Sequence, residues 1–259
     1  RCAIVTGVQT CALPILRDFE KHLAYLKLPY IRENYEAVAK IAAQKQWTHV
    51  HFLTELIKQE AALRKDKAVL RRIRLARFPV VKTMDQFNWS WPRKINRVQI
   101  ENLFRLKFIE EKSNVVLIGS VGLGKTHILT ALGYQACLKN QNVLFTSAID
   151  AVNNLVVAQH AGQLKQELKK YIKPSLLLLD ELGYLPIDKT GADLLFQIIS
   201  QRYEQGSIII TTNRVFQDWP AIFNNDSTLT SALLDRLLHH TEAVVIEGDS
   251  YRMRKEKTE

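Results

Sequence analysis

Residues 114–126 read NVVLIGSVGLGKT, and the fold follows from how this stretch is interpreted. NVVLI is short, rich in β-branched residues and free of charge, the pattern of a strand buried on both faces. GSVGLGKT, residues 119–126, has the spacing G-x-x-x-x-G-K-[ST] and leads into a helix-forming segment. Gly119, Gly122 and Gly124 allow successive backbone N–H groups to turn inward on an anion, against the positive end of a helix. The pattern therefore predicts a phosphate cradle made of Gly119, Ser120, Val121, Gly122, Leu123, Gly124, Lys125, Thr126 and His127, suited to ATP. Lys125 should reach the β- and γ-phosphates, and the Thr126 hydroxyl should ligate Mg²⁺. A glycine-rich turn with no ligand is the alternative, but it does not require strand, loop and helix in this order.

Working outward, the chain alternates apolar strands with helical segments. Strands are predicted over 115–118, 143–146, 175–180, 207–212 and 243–247. Helices are predicted over 97–111, 125–139, 149–171, 190–205 and 228–239. Such alternation implies an α/β fold, a P-loop NTPase parallel sheet flanked by helices on both faces. The strand LLLLDE, residues 176–181, ends in two carboxylates about 55 residues after Lys125. Asp180 should hold the metal through water, and Glu181 should orient and polarise an attacking water. Arg236 lies among leucines in ALLDRLLHH and needs an anionic partner. That partner is either a carboxylate of the same chain, such as Asp235, or the γ-phosphate of a neighbouring subunit, which Arg236 would reach as a trans-acting arginine. Arg202 is a second candidate for that interface, and Arg252 could touch nucleotide from the C-terminal end. His239 and His240 are adjacent, on different helix faces, and predict no metal site.

The first part of the chain differs in composition. From Phe19 to Arg77 there is no glycine and one proline, Pro29, and apolar residues recur at three and four, as in Leu53, Leu56, Ile57, Ala61, Leu70 and Ile73. Helices are expected throughout. Residues 17–98 hold 18 Lys and Arg against 8 Asp and Glu, whereas 99–259 hold 17 against 18. The formal charge of +10 is thus concentrated in this arm. Arg64, Lys67, Arg71 and Arg74 fall within about an 80° sector of one helix. They form a basic stripe suited to phosphate contact on DNA, with a solvated helical face as the alternative. Residues 79–98 contain aromatics and turn formers without periodicity and read as a connector.

The resulting division is a leader over 1–16, a basic helical domain over 17–78, the connector over 79–98, an ATPase domain over 99–250 and a charged tail over 251–259. Residues 5–15 resemble the translation of a sequencing adapter, so the leader reads as non-native. With Cys2 and Cys11 in that leader, Cys137 is left as a buried thiol in a helix. No apolar run is long enough to span a membrane, and a cytoplasmic location is expected.

Several segments together resemble the IstB helper ATPases of insertion-sequence transposons, members of the AAA+ class, and more distantly the helicase loader DnaC. They are FLTELIKQEAALR, ARFPVVKTMDQF, GSVGLGKTHILTALGYQA, LLLLDELGYLPID, LLFQIISQRYEQGS, TTNRVFQDW, ALLDRLLHH and GDSYRMR. The resemblance covers roughly residues 19–254. It implies an ATP-dependent homo-oligomer that binds double-stranded target DNA and regulates or stimulates a cognate transposase. A DnaC-like helicase loader is the alternative. The resemblance also implies that Asn213, ending the strand IIITT, stands between the two carboxylates and the γ-phosphate; an ordinary turn asparagine is the other reading. No lid domain of the kind that follows many AAA+ cores is expected after residue 247. Two readings from other classes, a small-molecule kinase and a nucleic-acid module with an inert nucleotide site, are disfavoured by the missing lid and by Glu181.

Overall fold

The computed structural model describes residues 18–251, so the leader, its two cysteines and Arg252 lie outside the described residues. Two compact units divide between Leu70 and Arg71.

The first unit is helical. Helix α1 runs through residues 18–25, α2 spans Pro29–Gln44, and α3 spans His49–Ala76, which continues into the second unit. Pro29 opens α2 at the position where a missing N–H costs nothing. The unit's core is small: Leu23, Ile31 and Leu56 are buried, with Tyr35, Val38 and Phe52 packed against them. Glu60 is 3% exposed and accepts the Ile31 N–H at 3.2 Å. Arg64 lies 3.5 Å from Glu60 and donates to the carbonyls of Leu26 and Lys27 at 3.2 and 2.7 Å. The three-and-four periodicity marks helix correctly but not burial, since Leu53, Ile57 and Leu70 are all exposed.

The second unit is built on a five-stranded parallel sheet in the order β2-β3-β4-β1-β5. Its strands are β1 (Asn114–Gly119), β2 (Val143–Ser147), β3 (Leu176–Leu182), β4 (Ser207–Thr212) and β5 (Thr241–Ile246). Alternation along the strands divides the apolar side chains between two cores. Val116, Ile118, Leu177, Leu179, Ile208 and Ile210 face one, and Val115, Leu117, Leu176, Leu178 and Ile209 face the other. The first core is closed by α7 (Ala148–His160), α8 (Leu164–Ile172), α9 (Lys189–Arg202), α10 (Trp219–Ile222) and α11 (Ser227–Leu238). The second is closed by α4 (Arg97–Leu103), α5 (Lys107–Glu110) and α6 (Lys125–Leu138). The strand β5 departs from burial on both faces: it is an edge, and Val245 is exposed.

The helix expected over 97–111 is broken. Leu106 adopts a left-handed conformation, φ 61°, between α4 and α5. In a continuous helix Leu106 and Phe108 would diverge by about 200°; the kink lets both enter one core. The segment 79–98 belongs to the second unit, and its Met84, Phe87, Trp89 and Ile95 pack with that core. Cys137 is fully buried on α6, and burial pushes its thiol up to about 11, so it stays protonated.

Candidate functional site

Strand order positions the site. Because β4 lies between β1 and β3, the chain leaving β4 at Asn213 emerges between the glycine loop after β1 and the two carboxylates at the end of β3. The loop crosses from β1 to α6 with Gly122 at φ 78° and Gly124 at φ 87°, values that β-carbon-bearing residues rarely adopt. Gly124 also has no room for a side chain, since a Cβ there would come within 2.7 Å of the Phe87 ring. Lys125 is 5% exposed, and its ammonium donates to the Gly119 and Ser120 carbonyls, both at 2.7 Å. The charge is thereby held across the mouth of the loop. At the second residue of α6, the Thr126 hydroxyl lies 3.1 and 3.0 Å from the two oxygens of Asp180. A hydroxyl beside a carboxylate is an all-oxygen donor pair of the kind Mg²⁺ prefers, so these residues fit the metal.

Asp180 is buried and Glu181 exposed, although they are consecutive. The β3–β4 register shifts between Leu179 and Leu182, and Glu181 takes φ 60°. The bulge turns the second carboxylate out of the sheet into a cleft of about 640 Å³, which the glycine loop also lines. Val121 through His127 all line this cleft. His127 is tied to the preceding segment by a 2.7 Å hydrogen bond between Nε2 and the Thr83 carbonyl. Asn213 stands exposed at the turn after β4.

Sequence reasoning missed the cleft's other wall. Phe87 stacks edge-on with His127 at 5.3 Å and with Trp89 at 5.0 Å. Trp91 donates to the Asp249 carbonyl at 2.9 Å and meets Tyr251 edge-on. Tyr251 in turn donates its N–H to the Gly122 carbonyl at 3.0 Å. Thus 79–98 and 249–251 wrap the glycine loop instead of merely connecting domains. The signal available was the cluster FNWSWP: four large or rigid residues in six positions without period are unusual for a solvated linker. Thr211 was also missed; it donates to Asp180 and accepts the Glu181 N–H at 2.8 Å.

The two arginines proposed for a subunit interface part company. Arg202 is 1% exposed. It donates to the carbonyls of Tyr171, Ile172 and Pro174 at 2.8, 3.1 and 2.9 Å, and to those of Ser175 and Ser207 at 3.2 and 2.7 Å. It is no interface residue: it serves the carbonyls left over at the end of α8, where the helix dipole favours a cation. Burial lowers its pKa to about 10, so it remains charged at neutral pH. Arg236 is half-buried, donates to the Ala232 carbonyl at 2.9 Å and sits 4.9 Å over the Phe196 ring. An aromatic face, not Asp235, supports it within the chain. It does not line the cleft of its own chain.

His239 and His240 do not lie on different faces of one helix. His239 lies just past the end of α11, which brings its ring to 4.1 Å from that of His240. With Glu204 they place three candidate metal-ligating atoms within 4.8 Å of one another, all on exposed residues.

A parallel sheet in this order, with a glycine loop after β1 and a carboxylate pair ending β3, defines a P-loop protein of the AAA+ class. Solved structures agree. The replication initiator DnaA of Aquifex aeolicus with AMPPCP bound superimposes with a TM-score of 0.52 at 26% identity, over 68% of this chain and 53% of that one. The DnaC helicase loader, at 22% identity and TM-score 0.52, covers 64% of this chain and 96% of its own, and shares the fold. The chain belongs to the family of IstB-like ATP binding proteins, which matches residues 21–259. It is 36% identical over 232 residues to the ATP-binding protein of insertion sequence IS5376 from Geobacillus stearothermophilus, covering 90% of this chain and 92% of that protein. It is also 36% identical over 242 residues to that of IS21 from Pseudomonas aeruginosa, covering 93% and 91%. Among the described residues, no helix is long and apolar enough to cross a membrane.

Proposed function

We propose that this chain is a Mg²⁺-dependent ATPase that oligomerises on double-stranded target DNA and regulates a partner transposase, hydrolysing ATP where subunits meet. The observation carrying the catalytic part is the convergence of Lys125, Thr126 and Glu181 on one cleft, with the buried Asp180 hydrogen-bonded to Thr126 behind it. In this reading Lys125 exchanges a loop carbonyl for phosphate oxygens, and Thr126 and Asp180 are the residues that would hold Mg²⁺, whose charge would offset that of the phosphates. Glu181 orients the attacking water and takes its proton as the bond to the leaving ADP breaks. The aromatic wall of Phe87 and Trp91 offers apolar surface to the base. The insertion-sequence relatives favour a transposition helper over a helicase loader, whose likeness lies in the fold alone. The deciding experiment is the ATPase rate against protein concentration, with and without double-stranded DNA. Specific activity should climb with concentration, more steeply with DNA; a rate indifferent to both would remove the interface mechanism.

Arg236 is the proposed trans-acting residue, held on Phe196 with guanidinium donors to spare. Arg236→Ala should leave nucleotide affinity unchanged while hydrolysis falls by roughly 10³ to 10⁵. Normal turnover would remove the assignment.

For DNA, Lys67, Arg71 and Arg74 are exposed, whereas Arg64 already serves two carbonyls. Neutralising Lys67, Arg71 and Arg74 should reduce the slope of log affinity against log salt by up to about 0.9 per lost phosphate contact. An unchanged slope would make the stripe a solvated face.

A further inference from the structure

We infer that Thr211 is a positioning residue whose single hydroxyl couples the metal-side carboxylate of Asp180 to the backbone that aims Glu181. The inference rests on the ATPase reading above and adds a residue to it.

Thr211 is the penultimate residue of β4, the strand between β1 and β3, and is 1% exposed. Its Oγ1 lies 2.8 Å from the Glu181 nitrogen and within hydrogen-bond distance of Asp180 Oδ1. The directions follow from the donors available. A backbone N–H can only donate, so the Thr211 oxygen accepts from Glu181 and its one proton goes to Asp180. Asp180 is then bracketed by two threonine hydroxyls, Thr126 from α6 and Thr211 from β4.

The bulge in β3 explains why such a residue is needed. Regular pairing with β4 breaks between Leu179 and Leu182, so the ladder supplies no carbonyl for the Glu181 N–H. The Thr211 hydroxyl takes that place. Glu181 stands at φ 60°, a conformation that a residue with a β-carbon keeps only where its surroundings over-determine it. The hydroxyl that holds this turn is the one that holds Asp180. Movement of the metal-side carboxylate is thereby transmitted to the direction in which Glu181 faces the cleft.

Valine has nearly the same shape as threonine and can neither donate nor accept, so Thr211→Val removes the coupling with little change in packing. Thr211→Ser keeps the hydroxyl. The full chain and both variants would be compared by affinity for a fluorescent ATP analogue in EDTA and in Mg²⁺, by steady-state turnover, and by melting temperature without nucleotide. Thr211→Val should bind as the parent does in EDTA but lose about tenfold of the tightening that Mg²⁺ provides. Its kcat should fall roughly tenfold to hundredfold, the range for loss of a hydrogen bond to a charged group, with KM little changed. Thr211→Ser should restore both. A Thr211→Val protein with parental Mg²⁺ tightening and parental kcat overturns the proposal, whatever its melting temperature. Equal impairment of both variants in proportion to lowered melting temperatures also overturns it, because the role is then only structural. If the parent chain hydrolyses no ATP, the ATPase reading fails, while the Mg²⁺ dependence of binding still decides the role of Thr211.

Discussion

Lys125→Ala is expected to abolish nucleotide binding. The ammonium is nearly buried at the head of α6 and is held by the Gly119 and Ser120 carbonyls, both 2.7 Å away. In the proposed site it would exchange these carbonyls for oxygens of the β- and γ-phosphates. Charge-assisted hydrogen bonds contribute about 1.5–3 kcal/mol each, so losing contacts to two phosphates should weaken affinity by roughly 10² to 10⁴. Removing the side chain also frees the carbonyls that shape the loop, which adds to the loss. The fold should survive, because β1 and α6 are joined through Leu117, Ile128, Leu129 and Leu132, all fully buried. Equilibrium titration with a fluorescent ATP analogue tests the prediction, and affinity within threefold of the parent would exclude Lys125 from the phosphate site.

Glu181→Gln should separate binding from hydrolysis. The substitution preserves shape and leaves the backbone N–H on Thr211, so the turn at φ 60° remains supported. The basic oxygen that would take the proton from water is lost. General-base contributions of about 10² to 10⁴ set the scale, and single-turnover hydrolysis should fall by that factor while ATP affinity holds. Turnover within tenfold of the parent would mean that another group, or water alone, serves as base.

Much of this was open to a reading of the residues, for a physical reason that differs from element to element. The glycine loop is legible because its function needs backbone conformations that few residues adopt and a lysine and threonine at fixed offsets from them. Asp180 and Glu181 are legible because a run of four leucines ending in two acids marks where a buried strand meets solvent. Arg202 misled for the opposite reason. A basic residue near the end of a predicted helix looks exposed in sequence, and only the packing of α8 against α9 shows five carbonyls awaiting a cation. The aromatic segment 79–98 misled because aperiodicity signals absence of regular structure, not absence of burial.

The class of fold, the phosphate cradle and the order of carboxylates belong to local sequence, since each depends on residues adjacent in the chain or repeated at a fixed period. The strand order, which sets Asn213 between loop and carboxylates, does not, because parallel strands pair through crossovers whose destination no local pattern encodes. The same holds for the wall that Phe87 and Trp91 build and for the hydroxyl of Thr211 between Asp180 and Glu181. Thr211 lies 31 residues from Asp180, and a contact across that separation comes into being when two strands are laid side by side and a bulge turns one backbone N–H toward a neighbour's side chain.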